Sequence, residues 1–496
     1  MDDRETKILT ERLIPIPRSV AFADGETFQL RDGCRIQLRA ADLGGARELA
    51  ETCCRRYWDI RAEVAAEPAP ETAELPADAY SLQVAAAQVT VTARGVTGIR
   101  NAFRTLRQLA EVRRGTERTA GHFLVPCRID DAPALEFRGI HLCIFPETPL
   151  WDIEKQLRLA AYHKFNYAVI ECWGVFPFES HPEMRWRDRS VDRGELKRLI
   201  ELARDLGITP IPQLNVFGHA SAARVITGKH FVLDFDPALQ PLFEPSGWSW
   251  CLSNPETRRI LTDMARELHD FFGRPPYFHI GCDEAYDLAS CHDCRKRPAA
   301  ELVRDHIRWF HKIFAERGTR LIMWHDMLVE KGDPRWKGYT ANARPECGLA
   351  TLHRELPHDI IIADWQYGYP ATEDAPEPAW PTVRFFAAEK FDVLVCPWLK
   401  REGIVSLGRL AANARLAGML ATAWHISHGR AFPDIFGLAA SAAWNPEATV
   451  PLLPGRRLTV ALHCRQVGWD MGIHDYEQSG WSQFQVDPGH HPHELH

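Results

Sequence analysis

The run Tyr277-Phe278-His279-Ile280-Gly281-Cys282-Asp283-Glu284 is an apolar segment that ends in two adjacent acids. Carboxylates set deep in a protein cost free energy unless they are paired or used, so two at one strand terminus point to acid–base or electrostatic chemistry. An Asp-Glu pair alone is weak, because most such pairs are solvated surface. The strand before it, and Gly281, which lets another group approach closely, raise its weight. Neighbouring strand residues point to opposite faces, so both acids can serve one ligand only if the chain leaves strand geometry after Cys282. Other constellations carry less. Cys291-His292-Asp293-Cys294 has the spacing of half a zinc site, but no second Cys-x-x-Cys completes it, and although Cys282 or a nearby histidine could in principle, no metal is expected. Cys53-Cys54 reads as helix packing rather than redox chemistry. No complete Walker motif or dinucleotide fingerprint stands in a strand-to-helix setting, so no cofactor is expected.

A pair of acids needs elements to hold it, and after Pro133 short apolar runs alternate with longer amphipathic segments, the pattern of parallel strands joined by helices. Eight runs can be counted, at residues 138–142, 167–173, 208–217, 277–282, 320–326, 360–367, 393–398 and 418–425. Helices are expected between them, for example over 152–163, 192–205 and 254–271, the last with Asn254 as cap and Pro255 at the first helical position. This predicts a (β/α)8 TIM barrel over residues 134–450, preceded by a small α+β domain over 1–133 and followed by an extension over 451–496. Catalytic groups in such a barrel sit where strands end. There the sequence places Glu171 and Trp173, Asn215 and His219, Asp283 and Glu284, Trp324 and Asp326, Trp365 and Tyr367, Trp398, and Trp424 and His425. Strand alternation predicts that some of these tryptophans only pack. The long connection 218–253, with Gly247-Trp248-Ser249-Trp250, reads equally as a lid over the mouth or as a loop packed on the rim.

The 496 residues are 45% hydrophobic and 25% charged, the composition of an ordinary globular protein rather than a disordered or membrane-embedded one. The net charge of −7, with no basic stripe, argues against a nucleic-acid partner, and no stretch has the length of a membrane span. Thirteen scattered cysteines suit free thiols in a reducing compartment, and with no apolar leader at residues 1–10 the expected address is cytoplasmic. The aromatic, histidine-rich tail offers a homodimer contact, and its histidines read as a solvated terminus rather than a metal site.

The segment His279-Ile280-Gly281-Cys282-Asp283-Glu284 resembles the signature of glycoside hydrolase family 20, the β-N-acetylhexosaminidases. Phe137-Arg138-Gly139-Ile140-His141-Leu142 resembles that family's first barrel strand, Gly218-His219 its Gly-His after the third, and Trp324, Trp365 and Trp424 the tryptophans that wall its sugar pocket. Residues 105–109 and 129–133 are similar to the end of its N-terminal accessory domain. Residues 282–286, 228–230 and 247–250 look closest to the hexosaminidase D type. Three positions depart from the pattern: Gln213 and Asn215 stand near the usual acid of the third strand, Pro397-Trp398-Leu399-Lys400 replaces a Tyr-Asp motif, and His425 replaces an acid after the last tryptophan. The resemblance implies removal of a terminal β-linked N-acetylglucosamine or N-acetylgalactosamine from an oligosaccharide by substrate-assisted retaining hydrolysis. Asp283 would orient the 2-acetamido group and Glu284 would be the general acid–base. Arg138, with Glu171, His219, Asp326 or Tyr367, would meet the polar face of the sugar, and the tryptophans, Trp398 included, would wall it. Two other readings stand beside this one: a catalytically silent sugar-binding protein, and a two-carboxylate glycosidase with Glu171 or Asp326 as nucleophile.

Overall fold

The computed structural model describes residues 2–113, 121–186, 188–220, 232–369, 378–424, 432–449 and 454–472. The chain divides into two compact units, one of Met1–Glu136, Tyr162–Lys164 and Pro433–His496, the other of Phe137–Ala161 and Phe165–Phe432.

In the first unit the strands are β1 (Ser19–Phe22), β2 (Phe28–Leu30), β3 (Arg35–Ala40), β4 (Glu63–Pro68), β5 (Tyr80–Val84), β6 (Gln88–Ala93), β7 (Glu111–Arg113), β8 (Gly121–Leu124) and β9 (Cys127–Asp131). Six of them form one sheet in the order β1-β9-β5-β6-β3-β4. The alternation that marks Tyr80, Leu82 and Val84 in sequence buries those side chains, with Val89 and Val91 of the next strand, beneath the helices Ala46–Trp58 and Val96–Leu109. Within this core Asp131 accepts hydrogen bonds from the Lys164 ammonium at 3.1 Å, the Tyr80 hydroxyl at 2.7 Å and the Trp444 indole at 2.7 Å. After residue 451 a helix runs over Pro454–Asp470, and Asp470 holds the Arg107 guanidinium. The histidines of the tail lie outside the described residues.

The second unit is a closed barrel of eight parallel strands: β10 (Phe137–Ile144), β11 (Tyr167–Cys172), β12 (Thr209–Gln213), β13 (Tyr277–His279), β14 (Arg320–Trp324), β15 (Ile361–Asp364), β16 (Asp392–Val395) and β17 (Gly418–Thr422). The ring closes where Phe137 to His141 pair with Gly418 to Thr422. All eight expected runs are strands, and most stop earlier than their apolar patterns do. The reason is visible after β13, where Gly281, Cys282 and Glu284 take φ of +67°, +75° and +47°, left-handed values that end an extended strand. Phe137, Val169, Ile211, Ile322, Trp324, Ile361, Ala363, Leu394 and Leu420 fill the interior, which is a packed core rather than a channel. The helix Pro255–Phe271 starts as expected, with the Asn254 side chain accepting the Glu256 N–H.

Candidate active site

The two acids do converge. Because the backbone twists out of β geometry at Gly281 and Cys282, Asp283 and Glu284 turn toward the same histidine: His219 Nε2 lies 3.3 Å from Asp283 Oδ2 and 3.1 Å from Glu284 Oε2. Two glycines make room for this. A Cβ on Gly281 would sit 2.3 Å from the Asn215 side-chain oxygen, and one on Gly218 would sit 2.1 Å from the Asp283 carbonyl. Neither position tolerates a side chain without displacing a residue that touches the acids. With Gly281 bare, Asn215 comes close enough for its amide to donate to Asp283 Oδ1 at 3.1 Å, while Gln213 donates to the Asn215 oxygen at 2.9 Å. A buried relay from β12 therefore fixes the Asp283 carboxylate, and Glu284 stays a quarter exposed, open toward the barrel mouth.

Beneath them lies a third acid. Asp326 is fully buried, and it accepts from the Glu284 backbone N–H at 3.0 Å, the Asn342 amide at 2.9 Å and the Trp365 indole at 3.1 Å. Burial, and then the charge of Asp283, push its carboxyl well above the ordinary carboxylate range. Asp326 thus braces the turn that carries Glu284, where the sequence suggested contact with the sugar. Glu171 is also buried, at the end of β11, with His141 Nε2 at 3.3 Å and the Cys143 thiol donating to it at 3.7 Å.

The aromatic groups gather as the strand-end pattern implied. Trp324 and Trp424 lie 5.3 Å apart between ring centres, Trp365 and Trp424 6.3 Å, Trp365 and Tyr367 5.7 Å, and Tyr367 and Trp398 5.2 Å. Trp324 has no exposed surface and packs edge-on or tilted among His141, His279 and Trp424, so it backs the wall, whereas Tyr367, Trp398 and Trp424 are part-exposed. Burial pushes the Tyr367 hydroxyl well up, with Glu284 and Asp283 acting in the same direction, and it remains a neutral O–H donor. His425 lies outside the described residues.

Arg138 sits near the start of β10, paired with Met419, and is buried. It alternates with Phe137 and His141, whose rings pack into the barrel.

Residues 221–231 of the 218–253 connection, with Gly228-Lys229-His230, lie outside the described residues, and the two tryptophans of the remainder differ. Trp250 is wholly buried, stacked on Phe243, with its indole donating to the Asn215 carbonyl. Trp248 instead faces the site: its indole donates to the Glu284 carbonyl and its ring lies 4.7 Å from His219 and stacks on Tyr286. Tyr286 is half exposed, and burial followed by the neighbouring Glu284 carboxylate raises its hydroxyl. The sequence leaves Trp248 undecided between lid and rim, and nothing in it marks Asn342. The one usable signal was the pair of glycines, Gly218 and Gly281, which mark where two strand ends come into contact.

A (β/α)8 barrel that holds one guarded and one open carboxylate at the end of its fourth strand, beside an aromatic wall, has the architecture of a sugar-cleaving acid–base enzyme. Residues 10–131 match the glycosyl hydrolase family 20 domain 2, and residues 181–384 match the glycosyl hydrolase family 20 catalytic domain. The chain belongs to glycoside hydrolase family 20. A Beta-hexosaminidase of Porphyromonas gingivalis is 23% identical over 396 residues, 71% of this chain and 49% of that protein. Hexosaminidase D of Bos taurus is 28% identical over 184 residues, 35% of this chain and 50% of the relative. The chain thus spans about half the length of these curated relatives. In fold it is similar to the chitobiase of Flavobacterium johnsoniae, with a TM-score of 0.69 at 17% identity, covering 94% of this chain and 74% of that one.

Proposed function

We propose that this chain is an exo-β-N-acetylhexosaminidase that removes a terminal β-linked N-acetylglucosamine or N-acetylgalactosamine with help from the sugar's own acetamide. The observation that carries the proposal is the convergence of Asp283 and Glu284 on His219, with Asp283 fixed from behind by Asn215 and Glu284 open to the mouth. In the first step the acetamide oxygen attacks the anomeric carbon, the glycosidic bond breaks, and Glu284 gives its proton to the leaving oxygen. The acetamide N–H donates to Asp283, which stabilises the positive charge as the oxazolinium ring forms. In the second step water attacks the same carbon, Glu284 takes its proton, and the acetamide is released with the β configuration retained. Trp365, Trp424 and Trp398 close around the acetamide and the ring, Tyr367 supplies a neutral donor among them, and Glu171 with His141 is the polar pair left for the ring hydroxyls.

The two-carboxylate alternative finds little support at Asp326, whose buried carboxylate is held by the Glu284 N–H, the Asn342 amide and the Trp365 indole. Aryl β-glycosides of both N-acetylhexosamines test the proposal. The wild-type chain should cleave them, and Glu284→Gln should lose about 100- to 10,000-fold in kcat/KM while keeping its fold. Failure of the wild type to turn over either substrate, with binding retained, would favour a silent sugar-binding protein.

A further inference from the structure

The half site at Cys291 and Cys294 has a second half that its spacing does not reveal. Cys251, forty residues earlier, places its sulfur 3.6 Å from that of Cys291 and 3.7 Å from that of Cys294, and Glu244 completes a group whose ligand atoms all lie within 4.8 Å of one another. Zinc–sulfur bonds of about 2.3 Å at tetrahedral angles put thiolate sulfurs about 3.8 Å apart, so these three already stand near the corners of such a polyhedron. They are too far apart for a disulfide, and all are free thiols.

The surroundings are those of a closed site. Cys251, Cys294 and Glu244 are buried, and Cys291 is part-buried. The Cys294 backbone N–H donates to the Cys291 sulfur at 3.3 Å, in a tight turn that continues into the 3-10 segment Cys294–Lys296, so the two sulfurs of the Cys-x-x-Cys face one point. One Glu244 oxygen accepts from the Ser290 N–H at 2.9 Å, the Ser290 hydroxyl at 3.2 Å and the Cys291 N–H. Its other oxygen is buried with no N–H or O–H donor among the described residues and faces the cysteine sulfurs. A thiol is a weak donor to a carboxylate shut from water, and a cation held by the three sulfurs would satisfy that oxygen better.

We infer that Glu244, Cys251, Cys291 and Cys294 form a structural site for one zinc ion. Three sulfurs and one carboxylate oxygen fill the four positions, which leaves none open for water or substrate and makes the role structural rather than catalytic. Soft thiolates favour zinc over magnesium or calcium. The site ties two loops together: Glu244 and Cys251 flank Trp248, which bonds the Glu284 carbonyl, and Cys291 and Cys294 follow Asp283, Glu284 and Tyr286. The ion would hold the Trp248 loop against the acid-bearing turn, beside an existing Ser246 to Asp287 hydrogen bond.

The test is metal analysis of the purified full chain prepared without chelators, followed by removal of the metal and titration with cobalt(II). One zinc per chain, intense sulfur-to-cobalt charge-transfer absorption together with tetrahedral cobalt bands, and loss of both in Cys294→Ser are expected. Glu244→Gln should keep the charge-transfer absorption with altered tetrahedral bands. Metal-free protein that gives no charge-transfer absorption with cobalt(II) would overturn the assignment, as would zinc retained undiminished in both variants. If Cys294→Ser does not fold, the cobalt spectrum of the wild-type chain decides, and none of these readouts depends on activity.

Discussion

Asp131 in the first unit and Asp326 in the barrel are both aspartates shut away from water, and they are held in opposite ways. Asp131 meets the ammonium of Lys164, and the Tyr80 hydroxyl, the Trp444 indole and the Arg18 backbone N–H complete its shell. Asp326 meets only neutral donors among the described residues, the Trp365 indole, the Asn342 amide and the Glu284 N–H, and it lies within the field of another acid. A buried carboxylate neutralised by a cation and fully hydrogen-bonded is a structural device. A buried carboxylate placed near a second one, with its protonation pushed upward, is the arrangement that functional sites favour. The two clusters therefore separate what keeps the chain folded from what it does.

The largest expected effect lies in the structural cluster. Lys164→Met removes the cation and leaves Asp131 buried, so chemical denaturation should show a loss of about 3–5 kcal/mol of stability. Its kcat/KM on an aryl N-acetylhexosaminide, measured where both proteins are folded, should be unchanged; a parallel fall in activity would blur the distinction. Asp326→Asn is the converse. As a brace for the Glu284 turn, Asp326 should be worth roughly tenfold in kcat/KM, or about 1.4 kcal/mol. A nucleophile at that position would instead cost several thousandfold or more, with a stalled glycosyl-enzyme visible by mass spectrometry of the wild type.

A third buried aspartate sharpens the comparison by pH. Asp364 bonds the Thr382 hydroxyl at 3.2 Å, and burial pushes its carboxyl up to about 8. A carboxyl raised on folding favours the native state while it keeps its proton. The contribution is full below the unfolded value of about 4 and is lost as pH rises through about 8. Between pH 6 and pH 9 the wild-type Tm should therefore fall relative to that of Asp364→Asn, and parallel curves would contradict this.

Much of this was legible in the chain. The barrel strands announce themselves because each is buried on both faces and reads as an apolar run, and the two acids stand out because they interrupt one. What stayed hidden depends on distances across the fold. Trp248 and Trp250 are two residues apart and alike in type, yet one packs and the other reaches Glu284. The bonds that Asp326 receives from Trp365 and Asn342, each more than a dozen residues away, are equally invisible in the sequence. Cys251 and Glu244 join Cys291 and Cys294 only through closure of a loop whose path no spacing rule anticipates.

The central claim, that Asp283 and Glu284 serve an acetamide rather than a protein nucleophile, meets its most direct test in paired aryl β-glycosides that differ only in the 2-substituent. Turnover of the 2-acetamido sugar and none of its 2-hydroxyl counterpart is expected. Equal turnover of the two would contradict it.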